Sequence, residues 1–278
     1  MRLVRFGAPG SERPGLLDSD GRIRDLSGVV RDIDATTLSP ALLARIAATD
    51  LAALPAVAGQ QRFAPPVGAI GKLIAIGLNY RDHAAEAGLA APREPVIFMK
   101  ATSCIVGAND PISLPRGALK TDWEVELGIV IGARASYVSV ADAPRHVAGY
   151  LIAHDVSERS FQLERGGQWD KGKGCDTFGP LGPWLATPDE IADPQALDLW
   201  LKVNGEIMQQ GNTCNMIFPC AQLLSYVSEF MTLLPGDVLI TGTPAGVGMG
   251  RKPPRYLQAG DVVELGITGL GTQRQQVR

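Results

Sequence analysis

The chain has 278 residues, of which 45% are hydrophobic and 20% are charged, and its formal net charge is -3. This size allows one large domain, or a large domain with a small one, and the composition is that of a globular protein. The weak negative charge gives no basic surface for nucleic acid or anionic membranes, and no apolar run reaches the roughly 18 residues of a membrane span. The N-terminus lacks the apolar core of a signal peptide, so we expect a cytoplasmic protein.

Cysteine and histidine spacing excludes the common zinc motifs. No pair of the four cysteines is spaced as Cys-x-x-Cys, and the three histidines form no His-Glu-x-x-His sequence. Scattered cysteines in a cytoplasmic chain are most simply free thiols. A metal site in this chain would therefore use mostly oxygen ligands.

Residues 1–68 predict a small α+β N-terminal domain followed by a linker. An alternating strand opens the chain, and residues 15–23 have the pattern of a hairpin around an Asp-Gly turn. Ser39 and Pro40 then mark the start of a short helix. The Ala-, Pro- and Gln-rich composition of residues 51–70 is typical of a linker.

Residues 69–278 predict a second, strand-dominated domain. Buried strands are expected at residues 73–76 and 96–99, and Asn204-Gly205 is a strong hairpin signal. Residues 219–231 form the clearest amphipathic helix, with Phe230 among its apolar positions. The glycine-rich stretch 165–182 predicts a mobile surface loop or a lid. The strands and helices do not alternate as in a doubly wound sheet, so we expect a mixed, β-rich α+β fold.

The run from Asp122 to Ile131 alternates apolar and acidic residues, which places Asp122, Glu124 and Glu126 on one strand face. Glutamates two positions apart in a strand lie about 7 Å from each other, a gap that one divalent ion bridges when the side chains converge. Asp155 ends a second apolar run. Carboxylate ligands favour Mg²⁺, Mn²⁺ or Ca²⁺ over zinc. The alternative is a solvated strand face with unrelated acids.

Three further stretches carry candidate catalytic or binding groups. His83 and Glu86 are i,i+3 neighbours on a predicted helix, where the carboxylate can orient the imidazole as a base, although such surface pairs are common. The sequence around Lys173 nearly matches a phosphate-binding loop but has Gly174 where that motif needs Ser or Thr, so we reject nucleotide binding. Lys173 remains a candidate cation over a substrate, or else a solvated lysine. The turn containing Thr243 exposes a hydroxyl and N–H groups that can hold a carboxylate.

Taken in chain order, these stretches resemble the fumarylacetoacetate hydrolase family over roughly residues 70–270. Each motif is weak alone, but five in order are specific. The residues that carry the resemblance are Gly77, Asn79, Tyr80, His83 and Glu86; Glu124, Glu126 and Leu127; Asp155, Val156, Ser157, Arg159 and Gln162; Lys173 before Asp176-Thr177-Phe178-Gly179-Pro180; and Thr241-Gly242-Thr243-Pro244 with Gly246-Val247-Gly248.

The resemblance implies a β-roll catalytic domain and a homodimer. It implies Mg²⁺ or Mn²⁺ held by Glu124, Glu126 and Asp155, with Asp122 outside the site. It further implies a water-activating dyad and a substrate-facing lysine, with the remaining family positions near the substrate. These are His83 and Glu86 as the dyad, Lys173 as the lysine, and Arg159, Gln162 and Thr243 as substrate-binding residues.

The activity that the resemblance implies is hydrolysis of a 2,4-diketo acid, either an acylpyruvate or a 2,4-diketo-3-deoxy sugar acid, to pyruvate and a carboxylic acid. The N-terminal unit resembles that of longer bacterial members labelled ureidoglycolate lyase or 2,4-diketo-3-deoxy-L-fuconate or rhamnonate hydrolase. A decarboxylase, an isomerase or a ureidoglycolate lyase using the same site is the alternative, and a non-catalytic metal-binding protein is a remote one. The expected partner is a small keto acid, with no nucleic acid and no membrane. His154 stands where the family pattern has Asn.

Overall fold

The computed structural model describes residues 1–278 and shows a mixed, β-rich α+β fold, as the sequence predicts. None of its helices has the length and apolarity required to cross a membrane. The strands are β1 (Arg2–Phe6), β2 (Arg13–Leu17), β3 (Ile23–Asp25), β4 (Phe63–Ala64), β5 (Leu73–Gly77), β6 (Val96–Lys100), β7 (Ile105–Gly107), β8 (Thr121–Asp122), β9 (Val125–Ile131), β10 (Val147–His154), β11 (Ser157–Glu158), β12 (Gly179–Ala186), β13 (Asp198–Val203), β14 (Glu206–Asn212), β15 (Val238–Ile240), β16 (Val262–Ile267) and β17 (Gly271–Gln276). The α-helices are α1 (Pro40–Ala47), α2 (Arg81–Glu86), α3 (Arg159–Leu163), α4 (Asp170–Lys173) and α5 (Cys220–Phe230).

An 11-stranded sheet forms the body of the molecule, with its main path in the order β3-β2-β1-β12-β10-β9-β15-β5-β6. The central pair, β9 and β10, is antiparallel and places Ala153 opposite Glu126 and His154 opposite Val125. The start of β9 therefore lies beside the end of β10. This register brings the acidic residues at the start of β9 next to Asp155, which directly follows β10.

A four-stranded sheet, in the order β14-β13-β16-β17, packs against the main sheet through buried amides. The side chain of Gln273 in β17 donates to the carbonyl oxygens of Ile152 and Gly182 at 3.0 and 2.9 Å. Buried polar groups need such partners, so these bonds fix the position of one sheet on the other. The predicted hairpin around Asn204-Gly205 is confirmed as the β13–β14 connection.

The N-terminal segment extends the main sheet. Strand β1 pairs with β12, with Leu3 opposite Leu185, and β2 and β3 form the predicted hairpin. Leu3 and Leu16 belong to the same hydrophobic cluster as Leu151 of the central strand β10. The segment therefore shares a sheet and a core with the rest of the chain, and the division at residue 68 stays a prediction.

The acidic run is not one continuous strand with a solvated face. It is divided into β8, which pairs with β11, and β9, which begins only at Val125. Every residue of β9 is buried, because the strand lies between β10 and β15 in the centre of the main sheet. The burial of the whole strand excludes the alternative of a solvated strand face with unrelated acids.

The glycine-rich stretch is also more ordered than its composition suggests. It contains α4 and the start of β12, and Gly172 and Lys173 are buried, so the predicted surface loop is wrong for this part. A β-carbon on Gly172 would lie 2.4 Å from the carbonyl oxygen of Glu158, so here a glycine permits close packing. Helix α5 begins near its predicted start, but Phe230 is 60% exposed and does not join the apolar face.

Candidate active site

Three buried carboxylates meet at the end of the β9–β10 pair. One carboxylate oxygen from each of Glu124, Glu126 and Asp155 lies within 4.8 Å of the others. The backbone N–H of Asp155 donates to the carbonyl oxygen of Glu124 at 3.0 Å, which fixes the two chain segments beside each other. The sequence prediction that these acids come together agrees with the geometry.

Two of the three carboxylates are paired with buried cations. The Lys173 ammonium donates to Glu124 Oε2 at 2.8 Å and to Asp155 Oδ2 at 2.7 Å. The Arg159 guanidinium donates to Glu124 Oε1 at 2.6 Å, and Lys100 binds the other oxygen of Asp155. Burial would raise the pKa of Glu124, but the attraction of Lys173 and Arg159 outweighs burial and holds that pKa well below its usual range.

Glu126 has no cation partner. Its carboxylate accepts one hydrogen bond, from the backbone N–H of Gly242 at 2.8 Å. Burial, followed by repulsion from Asp155 and Glu124, raises the pKa of Glu126 well above its usual value. The trio therefore lacks positive charge at Glu126, and an all-oxygen donor set of this kind fits Mg²⁺ or Mn²⁺. The residues present are thus suited to the divalent ion that the sequence predicts.

The predicted His83–Glu86 pair is assembled on α2. His83 Nδ1 lies 3.0 Å from Glu86 Oε2, and the other oxygen of Glu86 accepts from the backbone N–H of Gly246 at 2.9 Å. Glu86 is therefore held from two sides. Its contact with Nδ1 leaves His83 Nε2 available to the cavity that His83 lines.

Thr243 is buried in the site, but its hydroxyl already has partners. The hydroxyl donates to the carbonyl oxygen of Val125 at 2.9 Å and accepts from Gln209 Nε2 at 2.8 Å. The backbone N–H of Thr243 donates to no acceptor within the chain. The group of Thr243 that remains able to bind a carboxylate is therefore this N–H.

Arg159 and Gln162 lie beside the carboxylates on α3. Arg159 Nη1 donates to Gln162 Oε1 at 3.2 Å, which leaves the Gln162 amide hydrogens without an acceptor in the chain. The other two guanidinium nitrogens donate to the carboxylates of Asp122 and Glu124. Gln162 can therefore offer its amide hydrogens to a ligand, whereas each nitrogen of Arg159 is already held by a group of the chain.

Asp122 supports the site although it is not among the three converging acids. It is fully buried and accepts from Arg159 Nε at 2.9 Å. It also accepts from the backbone N–H groups of Gly248 and Met249, at 2.6 and 3.0 Å. The prediction that it is not a ligand agrees with the geometry, but its role in holding Arg159 and the 248–249 turn was not foreseen.

Sequence reasoning also missed Lys100 and Gln209. Lys100 ends β6 and reaches Asp155 and the carbonyl oxygens of Val156 and Lys173. Gln209 holds Thr243 through its Nε2, and its Oε1 accepts from the backbone N–H of Val125 at 3.0 Å. Neither residue belongs to a motif, and only the tertiary structure reveals these contacts.

His154, which departs from the family pattern, is buried and neutral. Burial lowers the pKa of its imidazole to about 3, and Nδ1 lies 3.1 Å from Gln275 Oε1. Its Nε2 has no partner. The residue therefore joins β10 to the second sheet and makes no hydrogen bond with the neighbouring Asp155.

The candidate catalytic groups share one cavity of about 360 Å³. Its lining combines most of the polar residues selected from the sequence with apolar side chains. The predicted site residues that line it are His83, Glu124, Glu126, Arg159, Gln162, Lys173 and Thr243. Glu86 and Asp155 do not line the cavity but bind lining residues, namely His83 and Lys173.

A buried carboxylate trio and an oriented imidazole beside one cavity place the chain among enzymes, and known proteins with the same fold are hydrolases and isomerases. Fumarylacetoacetate hydrolase from Exiguobacterium antarcticum matches with a TM-score of 0.89 and 37% identity, covering 100% of this chain and 99% of that one. Maleylpyruvate hydrolase from Sphingobium sp. SYK-6 matches with a TM-score of 0.83 and 30% identity over 100% and 99% of the two chains. An isomerase of 2-hydroxyhepta-2,4-diene-1,7-dioate from Mycobacterium marinum matches with a TM-score of 0.75 and 34% identity over 100% and 98%.

The family model described as the C-terminal domain of fumarylacetoacetate (FAA) hydrolase matches residues 72–278. A Burkholderia multivorans protein, provisionally named as a hydrolase, is 61% identical over 100% of this chain and 99% of its own length. The chain therefore belongs to the fumarylacetoacetate hydrolase family, as the ordered motifs predicted.

Proposed function

We propose that the protein is a metal-dependent hydrolase that cleaves the carbon–carbon bond of a 2,4-diketo acid, an acylpyruvate, to give pyruvate and a carboxylic acid. The observation that carries this proposal is the intact His83–Glu86 dyad, whose imidazole lines the same cavity as Glu124 and Glu126 of the carboxylate trio. The similarity to a maleylpyruvate hydrolase, whose name denotes an acylpyruvate substrate, supports it.

The keto-acid end of the substrate would bind at the trio. A Mg²⁺ or Mn²⁺ ion held by Glu124, Glu126 and Asp155 would supply Lewis-acid stabilisation of negative charge on that end. The backbone N–H of Thr243, which has no acceptor in the chain, would receive the substrate carboxylate, and the bonds of the Thr243 hydroxyl to Val125 and Gln209 would hold that backbone in place. The distal carbonyl then extends along the cavity toward His83.

His83 acts as the general base. Glu86 holds Nδ1, so Nε2 takes a proton from a water molecule, and the water oxygen forms a bond to the distal carbonyl carbon. The carbonyl electron pair moves to its oxygen, where the Gln162 amide and the Lys173 ammonium stabilise the negative charge. In this role Lys173 shares its hydrogen bonds between the carboxylates and the substrate.

Cleavage follows when the oxyanion re-forms a carbonyl. The bond between carbons 3 and 4 breaks, and its electron pair remains on the pyruvate fragment as an enolate. The proton held by His83 is then delivered to carbon 3, which completes pyruvate and restores the neutral base. The other fragment leaves as a carboxylic acid, so one water molecule is consumed per turnover.

An isomerase is the second candidate, because the M. marinum relative carries that name and an enolate-stabilising site suits both reactions. Decarboxylation and ureidoglycolate cleavage use the same class of site, as does hydrolysis of a 2,4-diketo-3-deoxy sugar acid. The intact dyad favours a reaction that consumes water over one that only moves a proton. A non-catalytic metal-binding role would not require the dyad.

The test is a panel of acylpyruvates and 2,4-diketo sugar acids with Mg²⁺ or Mn²⁺, scored for pyruvate, for CO2 and for isomerised product. We expect pyruvate and a carboxylic acid in equal amounts. Glu86→Gln should lower kcat by about 10²-fold or more, because the base loses its orienting carboxylate. Glu94→Gln, at a residue bonded only to Tyr226, is the matched control. If no compound releases pyruvate, or if Glu86→Gln retains full hydrolysis, the proposed function is wrong.

We further propose that the protein acts as a homodimer in the cytoplasm, on a free small-molecule substrate and without nucleic acid or membrane partners. The family resemblance supports the dimer, and four cysteines without a disulfide are in keeping with the location. Light scattering of the purified protein and fractionation of cells test these two statements separately.

A further inference from the structure

The cavity has two chemically different ends. Its inner end carries the carboxylates and their cations. Its mouth is formed by large apolar side chains that remain exposed: Leu89 is 57% exposed, Leu163 45%, Met249 38% and Val96 37%. Apolar side chains left open to water around a cavity mark a surface that an apolar group covers.

Two aromatic rings continue this apolar surface toward the inner end. Phe98 and Trp169 pack edge to face, with ring centroids 5.2 Å apart and planes at 68°. Trp169 lies close over Gly77, where a β-carbon would come within 2.6 Å of Trp169 Cζ3. The Lys173 ammonium is 5.2 Å from the Phe98 ring centroid, so the aromatic wall reaches the catalytic groups.

The cavity has no cation at its apolar mouth to pair with a second carboxylate, because its basic side chains lie at the inner end. Its only lysine and arginine are Lys173 and Arg159. Lys173 is bonded to two carboxylates of the trio, and Arg159 is bonded to Asp122, Glu124 and Gln162. A distal carboxylate would therefore be desolvated beside apolar side chains without a partner, which is unfavourable.

Hydroxyl groups on a substrate tail would also lack hydrogen-bond partners at the mouth. The side chains of Leu89, Leu163, Met249 and Val96 have no atoms capable of strong hydrogen bonds. A polyhydroxylated sugar-acid tail would lose hydrogen bonds to water and gain few from the protein. An alkyl or aryl tail would instead cover exposed apolar surface, and each buried methylene is favourable.

We infer that the substrate carries an uncharged, apolar acyl group, alkyl or aryl, at the end remote from its 2-keto acid. This inference rests on the proposed function for the reaction, but it concerns a different part of the cavity. It selects the apolar acylpyruvates from the wider class of 2,4-diketo acids. It also disfavours distal dicarboxylates and sugar acids as substrates.

The first test compares compounds that share the 2,4-diketo acid end and differ only at the tail: acetylpyruvate, hexanoylpyruvate, benzoylpyruvate, succinylpyruvate and a dihydroxyacyl analogue. With the Mn²⁺-loaded enzyme we expect kcat/KM for the hexanoyl or benzoyl compound to exceed that for acetylpyruvate by about tenfold or more. Succinylpyruvate and the dihydroxyacyl compound should fall below acetylpyruvate. If either of these two is the best substrate, the inference is wrong while the proposed function stands.

A binding measurement keeps the inference testable even if no compound is cleaved. Calorimetry of the Mn²⁺-loaded protein should show tighter binding of 2-oxohexanoate than of 2-oxoadipate, which has the same number of carbons but a distal carboxylate. Equal binding, or tighter binding of 2-oxoadipate, would overturn the inference. Absence of cleavage together with tighter 2-oxohexanoate binding would overturn only the proposed reaction.

Variants with substitutions at the cavity mouth provide a further test of the inference. Leu89→Arg places a cation beside the tail and should lower the benzoylpyruvate to succinylpyruvate ratio of kcat/KM by about tenfold or more. Leu89→Gln removes the apolar group without adding charge and should lower only the benzoylpyruvate rate. Val140→Arg, at an apolar residue that is 50% exposed outside the cavity, is the control and should leave the ratio unchanged. An unchanged ratio in Leu89→Arg would contradict the inference.

Discussion

Gly250 lies directly against the carboxylate of Glu86, so a β-carbon at position 250 would be 2.6 Å from Glu86 Cδ. Residue 250 therefore has to be glycine for Glu86 to stay on His83. We predict that Gly250→Ala displaces the carboxylate and lowers kcat by about 10- to 100-fold, since misplacement by about 1 Å has effects of that size. Steady-state kinetics with the best acylpyruvate substrate measures this decrease in kcat.

The control for Gly250→Ala is Gly28→Ala, because no atom lies within 4 Å of a β-carbon placed at Gly28. That variant should retain full activity. A Gly250→Ala enzyme with the same kcat as the Gly28→Ala enzyme would show that Glu86 tolerates the shift, and the positioning argument would fail.

Removal of the unpaired carboxylate should abolish metal binding. We predict that Mg²⁺ or Mn²⁺ at 100 times Kd stabilises the protein by about 2.7 kcal/mol, seen as a rise in Tm. Glu126→Gln retains an acceptor for the Gly242 N–H but removes the anionic ligand, so the metal-dependent rise should disappear while the fold persists. Calorimetric titration of both proteins with Mn²⁺ checks this, and wild-type affinity in Glu126→Gln would exclude Glu126 as a ligand.

Asp122 should contribute strongly to the stability of the folded protein. Asp122→Ala leaves the buried Arg159 without one of its two carboxylates and frees the N–H groups of Gly248 and Met249. Breaking a buried pair of this kind costs about 3–5 kcal/mol, which denaturant unfolding measures. Asp142→Ala, which removes an exposed pair with Arg145, should cost at most about 1 kcal/mol. Similar losses in the two variants would mean that Asp122 does not hold Arg159.

The four free thiols should react in a defined order. Burial raises the pKa of Cys104 to about 11 and that of Cys220 to about 12. A raised thiol pKa means less thiolate at a given pH, so at pH 8 only roughly a thousandth or less of either residue is reactive. Cys214 is exposed and should react first, and Cys175 is only partly buried.

Labelling at pH 8 with a chromogenic disulfide reagent tests this order. We expect one fast thiol that Cys214→Ser removes, and four reactive thiols after denaturation. The labelling rate of Cys104 and Cys220 should increase with pH, because the thiolate fraction grows until the raised pKa is reached. Fast labelling of either residue at pH 8 in the folded protein would contradict the burial seen here.

The structural features best predicted from the sequence are those that depend on residues close together in the chain. The His83–Glu86 contact needs only one helical turn, and the β13–β14 hairpin needs only Asn204-Gly205, so both are confirmed by the structure. The trio could be proposed because Glu124 and Glu126 alternate with apolar residues and Asp155 ends a second apolar run, although their convergence depends on the β9–β10 register. Ordered motifs, more than any single pattern, identified the family.

What the sequence could not show depends on distant contacts. Lys100 reaches Asp155 across 55 positions of sequence, and Asp122 binds N–H groups 126 and 127 positions away. The break between β8 and β9 arises because Asp122 pairs with β11 rather than with the main sheet. No local pattern encodes these partners. For the same reason, composition suggested a surface loop where Lys173 is buried.

The contrast between the two ends of the cavity has a consequence for how this protein can evolve. Substitutions at exposed positions usually change stability by no more than about 0.5 kcal/mol, and Leu89 and Leu163 are 57% and 45% exposed. The inner carboxylates and their cations are buried and mutually dependent, so almost any change there is costly. New tail preferences can therefore arise by single mutations that leave folding intact, while the chemistry at the inner end is inherited nearly unchanged.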